Sequence, residues 1–139
     1  MQTTLVVRTD GPGLYEFTTQ AQAFVREMKV TVGLLVAFAR HTSCSLLVQE
    51  NADPDVRRDL EAFFHRLVPP ADSPSMDYLV HRLEGADDMP AHIRSALTAV
   101  SLTIPITTGR LVLGTWQGLY LWEHRSEPHR REIVLHVTG

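Results

Sequence analysis

The chain has 139 residues, 44% of them hydrophobic, and a formal net charge of -3, which suits one compact domain over residues 1–139 with a sizeable buried core. That balance argues against broad electrostatic binding to nucleic acid, and no run approaches the ~20 apolar residues of a membrane span. Cys44 is the only cysteine, which rules out an intrachain disulfide and a thiolate zinc cluster; with no basic segment leading into an apolar run, a cytoplasmic protein is expected.

Along the chain, Thr3 to Thr9 and Leu14 to Thr18 read as strands joined through the turn "DGPG", a first hairpin. Thr18 or Thr19 caps a helix through about Val30, with Ala23, Phe24 and Met28 turned inward. Gly33 then releases "GLLVAFA", a continuous apolar run expected of a strand covered on both faces. "SCSLLVQE" follows closely enough to pair antiparallel with it, which leaves His41, Thr42 and Ser43 at the junction.

Asp53 before Pro54 is a strong helix start, a side-chain cap followed by proline at the first helical position. Val56, Leu60, Phe63, Phe64 and Leu67 give that helix an apolar stripe, and the proline-rich "VPPADSPS" ends it. A shorter helix is expected from Asp88 or Met89 to Ala99, with Ile93, Ala96, Leu97 and Val100 facing the core and His92 on the edge of that stripe. "SLTIPI", "RLVLG", "GLYLWEH" and "REIVLHV" read as four closing strands. The order ββαββααββββ makes this an α+β protein, a sandwich of mostly antiparallel sheets with a few helices.

Alternation along the strands picks out two carboxylates. Cys44, Leu46, Val48 and Glu50 share one face, as do Leu119, Leu121 and Glu123, so each glutamate extends an apolar face and loses solvent. Such a group either meets an arginine at the sheet end or is kept for chemistry. Among the histidines, His65, His129 and His136 read as solvated surface, whereas His41, His81 and His92 lie at element ends or beside a buried face and form a candidate cluster. Phosphate loops, dinucleotide fingerprints, H-E-x-x-H and G-x-S-x-G are absent. Cys44 points along an apolar strand and reads as core, and Asp88 reads as a helix cap.

The segments "HTSCSLLVQENADPDVR", "EGADDMPAHI", "SLTIPITTGRLVLGTWQGLYLWEHR" and "RREIVLHVTG" together resemble the YjbQ-like proteins, a family described as secondary thiamine-phosphate synthases. The resemblance covers nearly the whole chain. It implies a small sandwich assembled as a homotrimer, and an enzyme that joins a pyrimidine pyrophosphate to a thiazole phosphate, with a primary substrate left open. It places presumed site residues at His41, Glu50, Asn51, His81 and His92, and at the turn formed by Gly114, Thr115, Trp116 and Gln117.

For that chemistry His41, Glu50 and His92 are the catalytic candidates, since the reaction needs proton transfer and a stabilised leaving anion. Asn51, Arg110, Thr115, Trp116, Gln117 and Arg125 are the candidates for holding a small phosphorylated partner, Trp116 by stacking and the arginines by charge. His41, His81 and His92 are also the expected ligands of a divalent metal, zinc or magnesium, and no organic cofactor is indicated. Two other classes compete with the transferase: a hydrolase whose histidines hold metal while Glu50 activates water, and a protein that captures a small anion without turnover.

Overall fold

In the computed structural model, which describes residues 1–139, the chain forms eight strands and three α-helices. The strands are β1 (Gln2–Asp10), β2 (Gly13–Glu16), β3 (Val32–Ala39), β4 (Cys44–Glu50), β5 (Ser101–Thr107), β6 (Arg110–Leu111), β7 (Gln117–Glu123) and β8 (Pro128–Thr138). The helices are α1 (Thr18–Glu27), α2 (Pro54–Leu67) and α3 (Asp88–Leu97), and the segment Pro74–Met76 adds one 3-10 turn. The α+β class and the order of elements are those expected from the sequence.

The strands divide into a five-stranded sheet, ordered β1-β8-β3-β5-β6, and a three-stranded sheet, ordered β2-β7-β4. All pairings are antiparallel. Two expected pairings are overturned. β1 and β2 do not form a hairpin, because β1 pairs with β8 and β2 with β7. β3 and β4 do not pair either, because β3 lies between β5 and β8 while β4 borders β7. In both places the short link is a corner between sheets. At the first, Gly11 takes a left-handed φ of 98° and Tyr15 Oη closes the bend by donating to the Gly11 carbonyl and accepting the Asp10 N–H.

The core lies between the sheets. Leu35, Ala37, Ala39, Ile133, Leu135 and Val137 face it from the large sheet, Cys44, Leu46, Leu119 and Leu121 from the small one, and Phe17, Ala21, Phe24 and Val25 from the start and body of α1. Cys44 is fully buried there and its thiol is pushed up to about 12 by burial, which leaves it a packing residue. The inward stripe of α1 is therefore Ala21, Phe24 and Val25, with Ala23 outside it. Thr18 is not the cap: its hydroxyl accepts the Leu119 N–H and donates to Glu16, which ties the helix to the small sheet.

The apolar run of β3 is covered on one face only. Val32 is 68% exposed and Phe38 45% exposed, and with Leu34 they alternate with the buried Leu35, Ala37 and Ala39. The other face of the small sheet carries Ser45, Tyr120 and Trp122 toward the remaining helices. Asp53 caps α2 as expected, accepting the Asp55 N–H at 2.9 Å. Phe64 then meets the Trp122 ring edge-on at 4.6 Å, while Phe63 and Leu67 stay exposed.

The face expected for α3 is inverted. Ala96 and Leu97 are exposed, and the residues the helix buries include Asp88, Arg94 and Ser95. Polar partners explain the inversion: Ser95 donates to the Cys44 carbonyl, Arg94 to the Val68 carbonyl, and Asp88 accepts from Arg125. No helix is long and apolar enough to cross a membrane.

Candidate metal centre

The corner after β3, the first turn of α3 and the end of β7 converge at one end of the small sheet. Asp88, 1% exposed, is the hub. Its Oδ1 accepts from Arg125 Nη1 at 2.6 Å, and its Oδ2 lies 2.9 Å from His81 Nε2 and 3.3 Å from His92 Nε2. One ligand atom from each of His81, Asp88 and His92 lies within 4.8 Å of the other two.

Two of these side chains are oriented from behind. His92 Nδ1 sits 2.8 Å from the Thr42 carbonyl, to which it donates as Nδ1–H, so Nε2 carries the free lone pair. Arg125, which holds Asp88, also donates from Nε to Asp87 at 2.9 Å and from Nη2 to the Glu84 carbonyl. Although burial raises the carboxyl of Asp87, the Ser126 N–H and Arg125 outweigh it and hold the group below the usual carboxylate range. The arginine thus clamps two adjacent carboxylates and leaves Asp88 Oδ2 facing the imidazoles. Tetrahedral zinc, with bonds of about 2.0–2.1 Å to nitrogen or oxygen, sets its ligands roughly 3.3 Å apart. The two separations from Asp88 Oδ2, 2.9 and 3.3 Å, lie near that spacing. The two imidazoles favour zinc or another late first-row metal over magnesium, which prefers oxygen ligands.

His41 does not join this ligand set. Its Nε2 accepts the backbone N–H of Glu132 at 2.7 Å, so Asp88 stands in the place expected for it. Burial, and then the nearby Arg131, lower the His41 pKa and keep the ring neutral. It does line the same surface depression as His92, together with Thr42, Ser95 and Thr98.

The other candidates separate. Glu50 closes the far end of β4 and pairs with Gln117, whereas Cys44 at the near end pairs with Glu123; at ~3.3 Å per residue the two ends are about 20 Å apart. One Glu50 oxygen, Oε2, is sealed from solvent without a hydrogen-bond partner. Asn51 donates its N–H to the Trp116 carbonyl, so Asn51, Thr115, Trp116 and Gln117 form a second cluster at that end. There Gln117 accepts the Gly114 N–H, and Trp116 is 63% exposed. Arg110 lies elsewhere again, lining a cleft with Arg26 and Lys29 at the end of α1. Arg125 is committed to Asp87 and Asp88 and acts on the centre by positioning.

Two buried groups at the near end complete the picture. His124, directly after β7, is not among the candidates expected from the sequence; it shares a 2.9 Å hydrogen bond with Ser45, and burial pushes its pKa down to about 3. Glu123 realises the arginine alternative. It is fully buried and accepts from Arg131 and from Thr9. Burial raises its pKa, but those hydrogen bonds outweigh it and hold the carboxyl below its usual range.

Comparison with known proteins agrees on one family. The family described as UPF0047 protein YjbQ-like matches residues 2–139. UPF0047 protein sll1880 of Synechocystis is 55% identical over 138 residues, 99% of this chain and 91% of that protein. UPF0047 protein YjbQ of Escherichia coli O157:H7 is 41% identical over 139 residues, 99% of this chain and 97% of that one. Among solved structures, the conserved hypothetical protein TT1486 of Thermus thermophilus superposes with a TM-score of 0.84 at 34% identity, covering 98% of this chain and 99% of that one. Hypothetical protein APE1520 of Aeropyrum pernix gives 0.88 at 26% identity, covering 100% and 98%. The chain belongs to the YjbQ family.

Proposed function

We propose that this YjbQ-family protein is a metal-dependent enzyme acting on a small phosphorylated molecule, with His81, Asp88 and His92 as the ligands of one divalent ion. The observation that carries the reading is the convergence of those ligand atoms within 4.8 Å. An ion held by His81, Asp88 and His92 would supply Lewis-acid chemistry toward a phosphoryl group or a water molecule.

The chain's own residues supply the rest. Arg125 fixes the carboxylate of Asp88, and the Thr42 carbonyl fixes the His92 tautomer. His41, accepting at Nε2, carries its proton on Nδ1 as a neutral ring and lines the same depression as His92, where that N–H would hold a substrate oxygen by a hydrogen bond. The geometry favours hydrolysis or transfer at a phosphoryl or pyrophosphate group, and the hydrolase reading takes Asp88 as ligand in place of His41.

A second reading keeps thiamine-phosphate synthesis as a side activity. It is favoured by the exposed ring of Trp116, free to stack on a heterocycle beside Asn51 and Gln117. Because that cluster lies the length of β4 from the histidines, one substrate would have to bridge two subunits. The apolar outer face of β3 supports a homotrimer that would bring such ends together.

Protein purified without a histidine tag should contain close to one zinc or related ion per chain and should release phosphate from small phosphate esters or pyrophosphates. Asp88→Asn should lose both metal and turnover while melting near the parent. A parent without metal, or an Asp88→Asn variant with unchanged turnover, would reject the reading.

A further inference from the structure

Between β2 and α2 lies a cleft of about 550 Å³, lined by residues that include Arg57, Arg58, Glu61, His65 and Arg94. Arg94 is the informative residue. It is 7% exposed, yet it forms no ion pair. Its Nη2 donates to the Val68 carbonyl at 2.6 Å, which caps the end of α2. Its Nε is sealed and donates to nothing, and Nη1 makes no hydrogen bond. A guanidinium offers five N–H donors. A buried charge that uses so few of them is costly unless an anion completes it.

The neighbours point to the same ligand. Arg57 and Arg58 line the cleft from α2 and Arg94 from α3, with His65 beside them. The carboxylates that act on Arg94 are Glu61 and Asp87, both beyond ion-pair distance: Glu61 Oε2 is taken by the Trp122 indole at 2.8 Å and Asp87 by Arg125 at 2.9 Å. Asp55 approaches only Arg58, at 3.7 Å. We infer that this cleft binds a small oxyanion of the phosphate class, with Arg94 as its buried anchor and Arg57 and Arg58 closing over it. Planar guanidinium forks suit phosphate oxygens better than a point charge does. Pro12, Leu14 and Ala62, also in the lining, leave room for an organic body attached to the phosphate.

The site is separate from the metal centre. Arg94 and His92 are two positions apart on α3, about 200° around a helix of 3.6 residues per turn, so they flank its buried face on opposite sides. The inference therefore stands whether or not the metal reading holds.

Calorimetric titration of chelator-treated protein, at constant ionic strength, with inorganic phosphate and with glycerol phosphate tests it. The parent should bind saturably. Arg94→Met, which packs a neutral chain of similar length, and Arg58→Gln, on the surface of α2, should each weaken binding, Arg94→Met by about tenfold or more. Glu61→Gln should tighten it by removing a like charge. Glycerol phosphate binding tighter than phosphate would identify a phosphorylated organic ligand, and equal affinities would identify free phosphate; either agrees with the proposal. Absence of saturable binding to the parent, or equal affinity in Arg94→Met, would overturn it. So would weakened stability in Glu61→Gln without any gain in affinity, because Glu61 would then be the counter-ion of Arg94.

Discussion

Replacing Arg131 with methionine would separate a buried charge from its partner without opening a large cavity. Glu123 is 0% exposed and accepts from Arg131 Nε at 2.7 Å and from Nη2, from Thr9 at 2.6 Å, and from the backbone N–H groups of His124 and Arg125. Arg131 also donates to the carbonyl and hydroxyl of Ser43. Removing one partner of such a pair costs about 3–5 kcal/mol, because the remaining charge is left in the core. At roughly 3–5 °C per kcal/mol for a domain of this size, the melting temperature should fall by about 10–20 °C. Neutralising the orphan in Arg131→Met/Glu123→Gln should recover more than half of the loss. The pH dependence follows from the same bonds. In the parent, the Glu123 pKa is depressed, so its contribution is full above the ordinary carboxylate range and is lost as pH falls through its folded value. In Arg131→Met burial dominates and raises the carboxyl, so the gap between the two proteins should narrow as pH falls from about 7 toward 4. Thermal unfolding at fixed protein concentration measures both effects. An Arg131→Met variant within about 1 kcal/mol of the parent at neutral pH would refute the reasoning.

Arg125→Lys keeps a charge but loses the fork that holds Asp87 and Asp88, so zinc affinity, read by competition with a chromogenic chelator, should fall about 10–100-fold while the fold persists. Leu34→Glu and Phe38→Glu place charge on the exposed face of β3; light scattering should find them monomeric if that face joins subunits, and an unchanged mass would remove it from the interface. His124, buried and pushed down to about 3, should show no imidazole titration by NMR between about pH 8 and 5. Because its folded pKa lies below the unfolded value near ~6.5, its contribution to stability is full above that pH and should fall by about 1.4 kcal/mol per unit as pH drops below it, down to the folded value.

What the sequence made legible was local. Asp53 and Pro54 marked the start of α2 because a side-chain cap and a proline act within one turn. Alternation identified Glu123 as an acidic end to an apolar face, and the arginine that meets it lies on β8. Pairing was not legible, since a short link between strands serves equally as a hairpin or as a corner between sheets. The face of α3 misled for a related reason. Ile93, Ala96 and Leu97 form an apolar stripe at helical spacing, but Arg94, Ser95 and Asp88 each find a partner from a distant segment, and those bonds outweigh a few exposed methyl groups. Asp88 beside a helix start looks like a cap in one dimension. Only the arrival of Arg125 from the end of β7 and His81 from the preceding loop makes it the hub of a site.

These details connect the core to the chemistry. Glu123 is held by Arg131 in the interior, and its Oε2 also accepts the backbone N–H of Arg125. The side chain of Arg125 in turn grips Asp88, which lies against His81 and His92. The candidate centre is thus anchored through successive charge-assisted bonds to the buried faces of both sheets, although His81 comes from an exposed loop. Weakening the chain at different points should have different consequences. Breaking it at Arg131 should cost stability first and metal affinity second, whereas breaking it at Arg125, nearer the ligands, should cost metal affinity with little loss of fold. If both substitutions instead reduced zinc binding only in proportion to the fraction unfolded, the anchoring would be structural support and Asp88 would be positioned by α3 alone.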